Sequence, residues 1–260
     1  MPLSALHAGL FSVVPIALAS IFLAIGWAAQ RGQQRLARLS LRALQKVDHR
    51  APVLFLRAFR DDQVQLAPAR FGVLGGWLSL PQRRTSLDEI LLEEGTIYGP
   101  VVALGNPTDR QPPYGAARAY LDNKVWQEVV ADLASNSVAI VICVDNTDSI
   151  WWEVQHLADK GYLKKTLFLF HPRLIRNSAD TEVAVRVLEA MGFGSGATEL
   201  RSQSASPVKN ESPGSTIFGV FIDSNGALQI ARSSTFSRVA ALITVRWFLR
   251  SRFGSNPVAL

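Results

Sequence analysis

The residues DNTDSIWWEV, 145–154, gather the side chains best suited to chemistry. They follow an apolar run, VAIVICV (138–144), and lead into an amphipathic pattern, so they read as a strand-to-helix loop. Asp148 or Ser149 is the expected helix cap, which puts Glu153 in the first turn. A carboxylate there has two readings: compensation of the helix macrodipole, or a reactive group at the mouth of a crevice. A capping box does not account for it, because counted from Ser149 the glutamate is the fourth helical residue and the reciprocal bond needs the third. Trp151 and Trp152 are neighbours that diverge by about 100° on a helix, so both cannot enter one core. One indole is expected to face the crevice, as a stacking surface for a base or nicotinamide ring, or to pack at an interface.

Two further loops follow apolar runs and belong to the same expected edge: Arg60-Asp61-Asp62 and Gly105-Asn106-Pro107. The loop PPYGAARAY (112–120) adds Tyr114 and Arg118 as ring or phosphate contacts, or as packing. Other chemistries fail on spacing. Glu153 and His156 form one E-x-x-H step, but a di-iron site needs a second step and more carboxylates, so no metal is expected. Gly72, Gly75 and Gly76 are not followed by the Gly-Lys-Ser/Thr of a phosphate loop. His7, His49 and His171 are scattered, and no Ser-His-Asp or Cys-His set emerges. Cys143, the single cysteine, reads as a small buried hydrophobe and can form no intramolecular disulfide, which fits a reducing compartment.

These loops need a rigid frame, and the sequence provides one. PVLFLRAF (52–59), PVVAL (100–104), VAIVICV and TLFLF (166–170) have the continuous apolar character of strands buried on both faces. Between them lie SLDEILLEEG with Ser86 as cap, KVWQEVVADLASN, IWWEVQHLADKG ending at Gly161, and DTEVAVRVLEAMG from Asp180 to Gly192. The alternation predicts an α/β fold, a flavodoxin-like parallel sheet with helices on both faces. Residues 194–214, rich in Ser, Gly and Pro, read as a flexible loop. STIFGVFID and ALQIARS, separated by Ser224-Asn225-Gly226, read as a hairpin extending or edging that sheet. TFSRVAALITVRWFLRSRF is the last helix, packed on the sheet through Val239, Leu242 and Ile243; its four arginines argue against a second span, and resting on a bilayer is the alternative.

The amino-terminal part differs from all this. Residues 8–30 carry no charge over 23 positions, long enough for a transmembrane helix, while the chain of 260 residues is otherwise of ordinary composition for one folded domain. The expected organisation is an anchor over 1–30, a basic juxtamembrane helix over 31–50, and an α/β domain over 51–260. Arg31, Arg35, Arg38, Arg42 and Lys46 form one stripe on a continuing helix, suited to anionic lipid headgroups. Basic residues on the carboxyl side of the span, and none on the amino side, predict a single-pass cell-membrane protein with its amino terminus outside and its domain cytoplasmic. The net charge of +6 is concentrated in this stripe, so no nucleic-acid partner is expected.

The segment from Lys124 to Leu157 resembles the central part of a Toll/interleukin receptor-type (TIR) domain, with Ser149 and Trp151 or Trp152 matching that family's Ser-x-Trp segment. VLFLRAFRDD similarly resembles the first strand and loop of plant-type TIR domains, with Arg60 and Asp62 at the basic and acidic positions. The same loop-helix architecture occurs in nucleoside deoxyribosyltransferases. The resemblance covers about residues 55–170, with two departures: Glu153 follows Trp152 directly instead of by three or four residues, and a Gly-rich, basic insertion occupies 63–84. It implies one of two functions. The first is a membrane-anchored signalling module that works by homotypic assembly. The second is an NAD (nucleotide) N-glycosidase in which Glu153 is the catalytic carboxylate and Arg60, Asp62, Ser149, Trp152 and Tyr114 bind substrate. NAD enters as substrate, and neither reading calls for a cofactor.

Overall fold

In a computed structural model of the chain, residues 48–57, 65–66, 85–105, 117–120, 126–171, 180–198 and 216–254 are described. The expected span over 8–30, the basic stripe, Arg60, Asp62, Tyr114 and most of the 63–84 insertion lie outside them. Among the described residues no helix is long and apolar enough to cross a membrane.

The domain is α/β, with strands β1 (Val53–Leu56), β4 (Val101–Gly105), β5 (Ala117–Tyr120), β6 (Ala139–Val144), β7 (Thr166–Phe170), β8 (Thr216–Ile222) and β9 (Leu228–Ser233) in one sheet. Their order is β5-β4-β1-β6-β7-β8-β9, and two short strands, β2 (Gln65–Leu66) and β3 (Thr85–Ser86), pair separately. The sheet is mixed, not wholly parallel: β5, β4, β1, β6 and β7 run parallel, β8 starts opposite the carboxyl end of β7, with Leu169 facing Gly219, and runs antiparallel to it, and β9, antiparallel to β8, returns to the common direction. The expected hairpin is therefore part of the same sheet. Asp223 closes its turn by accepting from the backbone N–H groups of Asn225 and Ala227, and Gly226 supplies the positive φ that the turn needs. β5, expected as a loop, is an edge strand; its four residues include no apolar run that would announce it.

Period-two alternation sends the strand side chains to two cores. Leu54, Leu56, Ile142, Val144 and Phe168 face helices α2 (Trp126–Asn136), α3 (Asp148–Asp159) and α4 (Asp180–Ala190). Val53, Phe55, Val141, Leu169 and Phe221 face α1 (Leu87–Gly95) and α5 (Arg238–Phe253). Ser86 caps α1 by accepting from the Glu89 N–H, as its position before the apolar pattern predicts. Ser237 does the same for α5 through Ala240. The buried face of α5 is Ala241, Thr244, Val245, Phe248 and Leu249, not the expected one: Val239 and Ile243 are exposed and Leu242 is half-buried.

β1 is the pivot. The chain steps from it to β4 on one side and later returns to β6 on the other, so the strand order reverses between β1 and β6, beside the carboxyl ends where open sheets bind ligands.

Candidate functional site

The loop leaving β6 is fixed by its own polar groups. Asp145 is buried and accepts from the Asn146 N–H, and the Asn146 side-chain oxygen accepts from the Trp151 indole at 3.3 Å. Thr147 is the N-cap residue of α3, without a side-chain cap bond, so neither Asp148 nor Ser149 takes that place. Ser149 is exposed, its hydroxyl 3.4 Å from that of Thr147.

Starting the helix at Asp148 makes Glu153 its sixth residue and moves it into the second turn. That removes the macrodipole explanation, because the field of the free N–H groups falls off within the first turn. Glu153 lies on the core-facing side of α3 with Ile150, Val154 and Leu157, and only 5% of it is exposed. Among the described residues its Oε2 has no hydrogen-bond partner, and burial pushes its carboxyl well above the ordinary range. Helical side chains lean back over the preceding turn, so the carboxyl leans toward the amino end of α3, where the β6 loop lies.

The two tryptophans are held by neighbouring helices. Trp152 stands edge-on to Trp126 of α2, with ring centroids 4.8 Å apart, and stacks on His156 at 5.0 Å. The Arg186 guanidinium of α4 lies 3.9 Å above the Trp151 ring. Both indoles are half-buried at helix contacts, and both pack against the same core as Glu153's neighbours.

A second buried polar set occupies the opposite face of the same edge. Arg57, immediately after β1, forms a buried ion pair with Asp88 in the first turn of α1, and its guanidinium lies 5.1 Å from the Phe55 ring centre. His171, immediately after β7, is 1% exposed and donates its backbone N–H to the Val144 carbonyl, extending the β6–β7 ladder by one rung. Sequence reading singled out Arg60 in this region and passed over Arg57. The usable clue was alternation, which puts Arg57 on the face of Val53 and Phe55. Among the described residues no three His, Cys, Asp or Glu side chains converge as a metal would require. No family model, curated protein or solved structure matches the chain.

Proposed function

We propose that this domain is a membrane-tethered nucleotide N-glycosidase, with an NAD-type dinucleotide as substrate and Glu153 as its catalytic carboxyl. The observation that carries the reading is an Oε2 with no partner among the described residues, on a glutamate 5% exposed in the helix that leaves β6 beside the reversal of strand order. An unpaired buried carboxyl is costly to keep, and such groups concentrate at functional sites. The order β4-β1-β6-β7 also supports the finer description of the frame as flavodoxin-like and TIR-like.

Burial by itself favours the neutral carboxyl. The positive charge of a pyridinium nucleotide lowers the carboxyl pKa, so on binding the proton passes to water and a carboxylate is left near the anomeric carbon. As the C–N bond breaks, its electron pair leaves with nicotinamide and the ribosyl carbon becomes oxocarbenium-like, the charge a carboxylate stabilises. Water then adds to that carbon and loses a proton, giving ADP-ribose, nicotinamide and a proton. Arg60, Asp62 and Tyr114 are proposed substrate contacts from neighbouring loops, with Ser149 and Trp152 on α3.

Full-length protein incubated with NAD should release nicotinamide, and Glu153→Gln should lower the rate by about a hundredfold or more, the usual cost of losing one such electrostatic group. Equal activity in the variant overturns the assignment. A second reading is favoured by the row Trp126, Trp152 and His156, whose half-buried rings leave aromatic surface outside α2 and α3: the tethered domain would then act by homotypic assembly. Absence of nicotinamide release together with concentration-dependent self-association by light scattering would favour it.

A further inference from the structure

Among the described residues four large apolar side chains are exposed: Ile97 (51%), Val239 (40%), Ile243 (57%) and Trp247 (41%). Three of them belong to α5, at successive steps of four, and so form one stripe along its outer side. The fourth lies in the turn after α1, next to Tyr98, which stacks on Phe253 at the end of α5 with centroids 4.7 Å apart. A stripe of this kind on a helix whose other face is fully packed calls for an occupant.

The charges of the helix select among occupants. α5 contains four arginines and no acidic residue. Arg238 and Arg246 are paired with Glu93 and Glu94 of α1 at 2.7 and 2.6 Å, which fixes the helix against the domain. Arg250 is exposed, pairs with no carboxylate among the described residues, and falls between Val239 and Ile243 in angular position on the outer face. An isologous contact between two copies would bury the Arg250 of each against a helix that offers no carboxylate. An anionic lipid surface meets both requirements, with headgroups for Arg250 and the acyl boundary for Val239 and Ile243. Trp247 fits the same boundary: one edge of its indole is held against Phe221, ring centroids 5.0 Å apart, while the rest is exposed.

The point where the chain enters the domain lies on this side as well. Arg50 donates to the carbonyls of Thr96 and Ile97, at 3.1 and 2.9 Å, and its guanidinium is also paired with Asp48. Only residues 31–47 separate that clamp from the uncharged run, and seventeen residues reach at most about 60 Å even when fully extended. We infer that the outer face of α5, through Val239, Ile243, Trp247 and Arg250, docks on the surface of an anionic bilayer. This inference rests on the proposed tether but not on the glycosidase reading, and its test requires no turnover.

Full-length protein carrying Ile243→Cys is labelled there with an environment-sensitive fluorophore, Cys143 being buried, and mixed with phosphatidylcholine vesicles with or without phosphatidylglycerol. With the anionic lipid the label should shift to the blue and be quenched by nitroxide headgroups, while a label on exposed Lys160→Cys should do neither. Arg250→Ala should weaken the response about fivefold, the share of one arginine near such a surface. A label at 243 that stays in water in both vesicle types, or protein that does not associate with anionic vesicles, overturns the inference. Shielding that rises with protein concentration and needs no lipid also overturns it, in favour of a second copy of the chain.

Discussion

Replacing Glu153 by Gln tests the site without substrate, because the amide keeps the shape of the carboxyl and cannot ionise. Burial holds the folded-state carboxyl well above 4.5, its ordinary value, whereas the unfolded chain returns it to that value. Between the two values the folded protein keeps a proton that the unfolded chain has lost, so rising pH destabilises the wild type. The full contribution is present below the ordinary value and is lost as pH climbs through the window. The slope for one proton is at most about 1.4 kcal/mol per pH unit. For a domain of this size that corresponds to roughly 3–6 °C of melting temperature per pH unit. Glu153→Gln has no such dependence, so thermal melts from pH 5 upward should show the variant gaining on the wild type at each step. Parallel curves would mean that the carboxyl is hydrated or paired in solution, and the argument that it is a poised catalytic group would fail.

Asp88→Ala should cost about 3–5 kcal/mol in chemical unfolding, because it strips the buried Arg57 of its ion-pair partner. The double substitution Arg57→Met, Asp88→Leu should recover most of that loss; a single variant as stable as the parent would show that the pair is unimportant. Gly99→Ala should be destabilising by about 1–3 kcal/mol or more, since its Cβ would lie 2.2 Å from the backbone oxygen of Ala51, where no side chain can yield. An unchanged melting temperature would refute that close approach.

Much of the frame is legible in the sequence because its strands are buried on both faces. VLFL, AIVICV and TLFLF need no partner to be recognised, and Ser86 announces α1 through a cap that the structure bears out. β5 is not legible, since the strand ARAY offers no apolar run and, among the described residues, pairs along one edge alone, with β4. α5 misleads for another reason. It carries two apolar stripes, Ala241-Val245-Phe248 and Val239-Ile243-Trp247, and periodicity cannot say which one meets the sheet. Thr147, Asp148 and Ser149 are all residues favoured at caps, so the start of α3 was ambiguous by one or two positions, enough to change the physical meaning of Glu153. Arg57 and Asp88 lie 31 positions apart, and no linear pattern joins them.

The clamp of Arg50 on Thr96 and Ile97 fixes where the chain enters the domain. It lies where β1 and its parallel neighbours begin, while the loop before Glu153 lies where they end, about 20 Å away for a six-residue strand such as β6. If residues 8–30 span a bilayer as proposed, the tether joins the domain at the end of the sheet opposite the rim that leads to Glu153. Tethering then sets where the domain acts while leaving the length of a strand, about 20 Å, between the point of attachment and that rim.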